Sequence, residues 1–167
     1  PEVERLLGTE ELESATSEGC TALSAAAENG HADVIAVLGQ ARANVDQLSG
    51  TTPRVPPYPA LSFAARGGHA EAVRALLAAQ ANPHRVNSYG QVPLHHAALS
   101  GAVEVVCALL AAHARVDQPH TRKSGDGGPP GWTPLMSAAI CGHADVCEVL
   151  LSAHANLNTQ TRFPGLT

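Results

Sequence analysis

Apolar residues along this chain return every three to four positions in eight stretches, and the stretches come in pairs. The leading members read TALSAAAEN (21–29), PALSFAARG (59–67), VPLHHAALS (92–100) and TPLMSAAIC (133–141). The following members read VIAVLGQARANVD (34–46), AVRALLAAQANPH (72–84), VVCALLAAHARVD (105–117) and VCEVLLSAHANLN (146–158). That spacing predicts helices. Between the two members of each pair stands a glycine, Gly30, Gly68, Gly101 or Gly142, suited to a left-handed turn that ends one helix and admits the next. A polar connector then leads to the next pair. One such helical hairpin cannot bury its apolar face alone, but stacked copies can, so the pattern predicts an all-α solenoid of helix-turn-helix units with extended connectors.

The glycines are spaced 38, 33 and 41 residues apart, so a basic period near 33 carries two insertions. The predicted units are 19–49, 50–89 with a Pro-rich insertion, 90–130 with a Gly/Pro-rich connector, and 131–162. Residues 1–18 read as the tail of a preceding partial repeat, and 163–167 as the start of a further one. The expectation is a window on a longer array or a larger protein.

The period, the TPL opening and the glycine-histidine turn resemble the ankyrin repeat. The fourth unit carries the resemblance in Thr133, Pro134, Leu135, Ala138, Ala139, Gly142, His143, Leu150, Leu151 and Ala155. The third carries it in Pro93, Leu94, His95, Ala97, Ala98 and Gly101. There are two departures. The family's histidine after TPL appears only as His95, with Ser24, Ser62 and Met136 at the matching places. The glycine usual after the second helix is replaced by Arg42, Gln80, His113 and His154, at a cost of about 1 kcal/mol each if the left-handed turn is kept.

Composition narrows the function. The chain has 167 residues, 44% of them hydrophobic but only 3% aromatic, which suits closely packed helices rich in alanine. A net charge of −5 argues against nucleic acid as the partner, because phosphate binding needs a clustered basic surface. The acidic residues gather near the start, as a solvated end. Cys20, Cys107, Cys141 and Cys147 form no CxxC pair and are too sparse for a disulfide framework. Reduced thiols and an intracellular compartment are expected, the cytoplasm first, with the nucleus or an organelle interior open. No apolar run reaches the roughly 18 to 20 residues of a membrane span, so no membrane insertion is expected.

CGHADVC (141–147) places four zinc-compatible side chains at alternate positions. The repeat explains three of them. His143 matches His31 and His69, Cys147 matches the apolar Ile35, Val73 and Val106, and Asp145 matches Asp33, Glu71 and Glu104. The last series stands where a carboxylate meets the positive end of a helix. No metal or cofactor is therefore expected. The glycine-rich GDGGPPG (125–131) lacks the Lys-Ser/Thr of a phosphate loop and no GxSxG motif occurs, so the chain reads as non-enzymatic.

In ankyrin-repeat proteins the first helices and connector tips line a concave face that binds other proteins. Carried onto this sequence, the resemblance points to the variable pairs ending each first helix: Glu28 and Asn29, Arg66 and Gly67, Leu99 and Ser100, Ile140 and Cys141. Trp132, the only tryptophan, falls beside the last pair, at a connector position held by Gln91 and Cys20 in other units. Exposed aromatics in apolar patches are typical contact anchors. The two long connectors add Arg54 and Tyr58, expected to be displayed from a proline-stiffened segment, and Arg122 and Lys123; Tyr89 joins them from the short connector. These connectors exceed the basic period by five and eight residues. The implied role is a protein-protein interaction module or scaffold with an unnamed protein partner. Two other roles stay open at this point: a structural subunit of a large assembly, or the regulatory arm of a larger enzyme or channel.

Overall fold

The computed structural model describes residues 19–50, 57–120 and 131–159. Eight helices run through them: α1 (Ala22–Glu28), α2 (Ala32–Gln40), α3 (Ala60–Arg66), α4 (Ala70–Ala78), α5 (Pro93–Ser100), α6 (Val103–Ala111), α7 (Pro134–Cys141) and α8 (Ala144–Ser152). Odd-numbered helices pack on one another in one layer, and even-numbered helices in a second. Each pair is an antiparallel hairpin, and the four hairpins stack in chain order.

Local chemistry starts and stops each helix. Thr21 opens α1 with a reciprocal cap: its hydroxyl accepts from the Ser24 amide at 3.2 Å, and its own amide donates to Ser24 Oγ at 2.9 Å. Thr133 caps α7, and Pro93 and Pro134 occupy the first turns of α5 and α7, where a missing N–H costs nothing. The four turn glycines take φ between 71 and 75°. Arg42, Gln80, His113 and His154 also lie left-handed, at φ 61, 68, 61 and 66°, so the turn is kept without the glycine.

The two inner first helices, α3 and α5, are buried almost all round. Ala60 to Ala65 in α3 and Pro93 to Ala98 in α5 are buried without a break. Alanine makes this possible: Ala27, Ala64, Ala65, Ala97, Ala98 and Ala138 have no exposed surface, letting backbones approach closely on both sides. The second helices bury only one stripe, Ile35 in α2, Val73 and Leu76 in α4, Val106 and Leu109 in α6, Val146 and Leu150 in α8.

Each connector is a small hairpin, and all three share one frame. Ser49 pairs with Tyr58 across the two-stranded sheet β1 (Leu48–Ser49) and β2 (Tyr58–Pro59). The Asn87 amide donates to the Gln91 carbonyl at 3.0 Å, and the His120 amide to the Trp132 carbonyl at 3.0 Å. Eight, three and eleven residues intervene in these hairpins, so the insertions of five and eight sit at equivalent tips, closed at the base like the short connector. The tips themselves, with Arg54, Arg122, Lys123 and the glycine-rich 125–130, lie outside the described residues, as do residues 1–18 and 163–167, which read as partial repeats.

Candidate functional site

The frame corrects one expectation at once. Tyr58 is not displayed: it stands on the same hairpin rung as Gln91 and Trp132 and is only 3% exposed. Its ring packs edge-on against Phe63 at 5.4 Å and against His96 at 5.1 Å, plugging the space between the second and third units. The sequence signal was present. Tyr58 immediately precedes Pro59-Ala60-Leu61, as Trp132 precedes Thr133-Pro134-Leu135.

Adjacent histidines on α5 serve opposite neighbours. His95 points forward: its Nδ1 accepts from the Val92 amide at 3.3 Å, which leaves Nε2–H to donate to the Trp132 carbonyl at 3.1 Å. His96 points back, toward Tyr58 and the Asn87 amide nitrogen. Burial pushes His95 down to about 3, against smaller upward contributions from those backbone bonds. Burial also pushes His96 down to about 3, helped by the Arg66 charge. Both are neutral members of the scaffold. His120, also buried, meets His95 edge-on at 5.5 Å.

The turn histidine, first noticed in the zinc-like motif, bonds one unit to the one before it. His69 Nε2 reaches the Glu28 carbonyl at 3.0 Å, and His143 Nε2 reaches the Leu99 carbonyl at 3.1 Å. Each ring lies over the preceding turn glycine, and a Cβ added at Gly30 or Gly101 would come within 2.7 Å of it. Beyond its conformation, that glycine is needed for space. Cys147 is half-buried and packs on the core, while Cys141 is exposed. Among the described residues no group of three or more His, Cys, Asp or Glu could hold a metal ion.

At the ends of the first helices the predicted residues converge. Arg66, Leu99, Ser100 and Cys141, with His96 at the floor, line a half-open pocket of about 340 Å³ that spans α3, α5 and α7. His96 has no site role assigned from the sequence, and here it is both scaffold and floor. The Ser100 hydroxyl donates to the Ala65 and Ala97 carbonyls, at 3.2 Å each, fixing one wall. Beside the pocket Ile140 is 64% exposed, a large apolar side chain facing water. Glu28 and Asn29 continue the row as exposed polar groups, with Asn29 Nδ2 tied to the Ala25 carbonyl at 2.9 Å. Trp132 and Tyr89 are half-buried on their hairpins, and neither lines the pocket. No described helix is long and apolar enough to cross a membrane.

Comparison with known proteins agrees with this geometry. One family model, described as ankyrin repeats in three copies, matches residues 42–120 and again 61–161, and a second, described as ankyrin repeat, matches 18–49. No curated protein matches the chain. Ankyrin repeats are generally protein-protein interaction modules. Helix pairs, left-handed turns, hairpin connectors and these matches together place the chain in the ankyrin-repeat family.

Proposed function

We propose that this chain is a non-enzymatic recognition module that binds a partner protein along the ends of its first helices. The observation that carries this reading is the pocket shared by Arg66, Leu99, Ser100 and Cys141, with Ile140 exposed beside it. Of these side chains only Ser100 bonds to a neighbouring unit, through the Ala65 carbonyl, and the stacking otherwise runs through the alanine positions behind them. A stacked scaffold holds this surface in place before binding, so little ordering is lost on association. Leu99 and Ile140 form the apolar centre, with Trp132 at its margin, and the two long connectors clamp the partner.

Affinity capture with crosslinking tests the reading, comparing the native array with versions carrying Ile140→Glu, Trp132→Ala, or connectors shortened by five and eight residues. A partner captured by the native array and lost in the Ile140→Glu version supports it. Equal capture by all versions would remove this face from consideration and leave a structural-subunit role.

A further inference from the structure

The ends of the four first helices form a ruled surface, one position per unit: Glu28, Arg66, Leu99, Ile140. The order is acid, base, apolar, apolar. Packed helices lie about 8 to 10 Å apart. An extended chain of polyproline II type rises about 3.1 Å per residue with three residues per turn, so every third side chain faces the array and about three residues span one unit. The second row, Asn29, Gly67, Ser100 and Cys141, holds no charge, so it does not compete with this order.

Arg66 is exposed, and none of the described carboxylates lies within ion-pair distance of it. The other wall groups offer a partner little charge. His96 is neutral and buried, and the Ser100 hydroxyl already donates to backbone. The pocket therefore presents one unmatched cation against an apolar wall.

We infer that the occupant is an extended, polyproline-type segment of a partner protein, carrying a carboxylate opposite Arg66 and apolar side chains three and six residues along, opposite Leu99 and Ile140. This rests on the recognition reading above and gives it a chemistry. Charge complementarity sets the register, and the apolar pair supplies the buried area.

Selection from a phage-displayed library of random linear peptides against the folded array tests the spacing. Enriched peptides are expected to carry Asp or Glu three residues from an apolar residue. For a synthetic peptide so chosen, Arg66→Glu lowers affinity about tenfold or more, Arg74→Glu on α4 leaves it unchanged, and exchanging the peptide carboxylate for lysine restores binding to the Arg66→Glu array. The same peptide slows iodoacetamide alkylation of Cys141 but not of Cys107, an exposed thiol on α6. Circular dichroism melts confirm that the Arg66 and Arg74 variants stay folded.

Enriched peptides without the spacing, or binding indifferent to Arg66→Glu, would overturn the motif and leave protein recognition standing. So would N-acetylglutamate binding as tightly as the peptide, which would mark a small-acid site. A library that enriches nothing overturns the motif; if lysate capture also fails, the recognition reading falls with it.

Discussion

The junction between the second and third helix pairs is joined differently from those on either side of it. The first-second and third-fourth junctions are each held at two edges. At the turn, His69 bonds the Glu28 carbonyl and His143 the Leu99 carbonyl. Where the connector leaves the second helix, the Asn82 amide donates to Asp46 Oδ1 and the Asn156 amide to Asp117 Oδ1, both at 2.9 Å. The middle junction has neither group. Ala102 stands where the turn histidine would be, and His84 where the connector aspartate would be. This junction keeps the Ser100 bond to the Ala65 carbonyl and an exposed Arg74–Glu104 pair at 4.0 Å, and it is filled from within by Tyr58 wedged between Phe63 and His96. Stability in a solenoid is close to a sum of unit and nearest-neighbour terms. The two kinds of junction show that the neighbour term can come from polar bonds at the rim or from a buried aromatic plug.

Acid should separate the two most strongly. His95 and His96 sit near pKa 3 in the folded array, against 6.5 for an ordinary histidine. Between those values the unfolded chain binds more protons, so stability is complete above about pH 6.5 and falls as pH drops toward 3. The slope reaches about 1.4 kcal/mol per pH unit for each histidine. His96 faces Arg66 and Tyr58, so its protonation opens the middle junction; His95 faces His120 and the Trp132 carbonyl, so its protonation opens the next one. Urea unfolding across this range should show His96→Asn flattening the slope by about half. An unchanged slope would mean that His96 does not titrate with unfolding.

Tyr58→Ala removes the plug outright and should cost about 3 to 5 kcal/mol, the range for large aromatics deleted from a core. Tyr58→Phe should retain most of the stability. A cost near zero for Tyr58→Ala would show that the middle junction is held by something other than the ring.

The rim bonds are smaller. His143→Ala should cost about 1 kcal/mol. Ala102→His tests the converse: Gly68 lies under Ala102 as Gly101 lies under His143, so a ring there can reach back to the second unit and stabilise by a similar amount. If Ala102→His destabilised instead, the middle junction would be packed too differently to accept a rim bond. Smallest is His113→Gly, which relieves a left-handed residue at φ 61° and should add about 0.5 to 1 kcal/mol, net of the extra freedom of glycine in the unfolded chain.

The repeat was legible because its signals are local. A helical apolar period, a glycine that must turn left-handed and a threonine or proline at the helix start each depend on a few adjacent residues. The two insertion lengths could be counted for the same reason, and the hairpin rungs at Ser49–Tyr58 and His120–Trp132 return the same five and eight. The variable pairs at the helix ends were visible as positions where stacking imposes no residue type. Tyr58 stands before Pro59-Ala60-Leu61 and so on a legible rung, but the prolines around it point to a displayed segment, and only its contacts with Phe63 and His96 show it buried. His96 was passed over because its neighbour His95 matched the family pattern.

The sequence by itself determined the fold, the four helix pairs of the described residues and the row of variable side chains at the ends of the first helices, since periodicity and turn chemistry are properties of short segments. The tertiary structure decided which of those side chains meet. Arg66, His96, Leu99 and Cys141 come from three different units, and only the spacing and rotation of stacked helices bring them around one pocket. It decided, too, that one aromatic on the hairpin rung is a buried plug while another, Trp132, is half-buried. Burial is set by what the next unit covers, and no single stretch of chain contains that information.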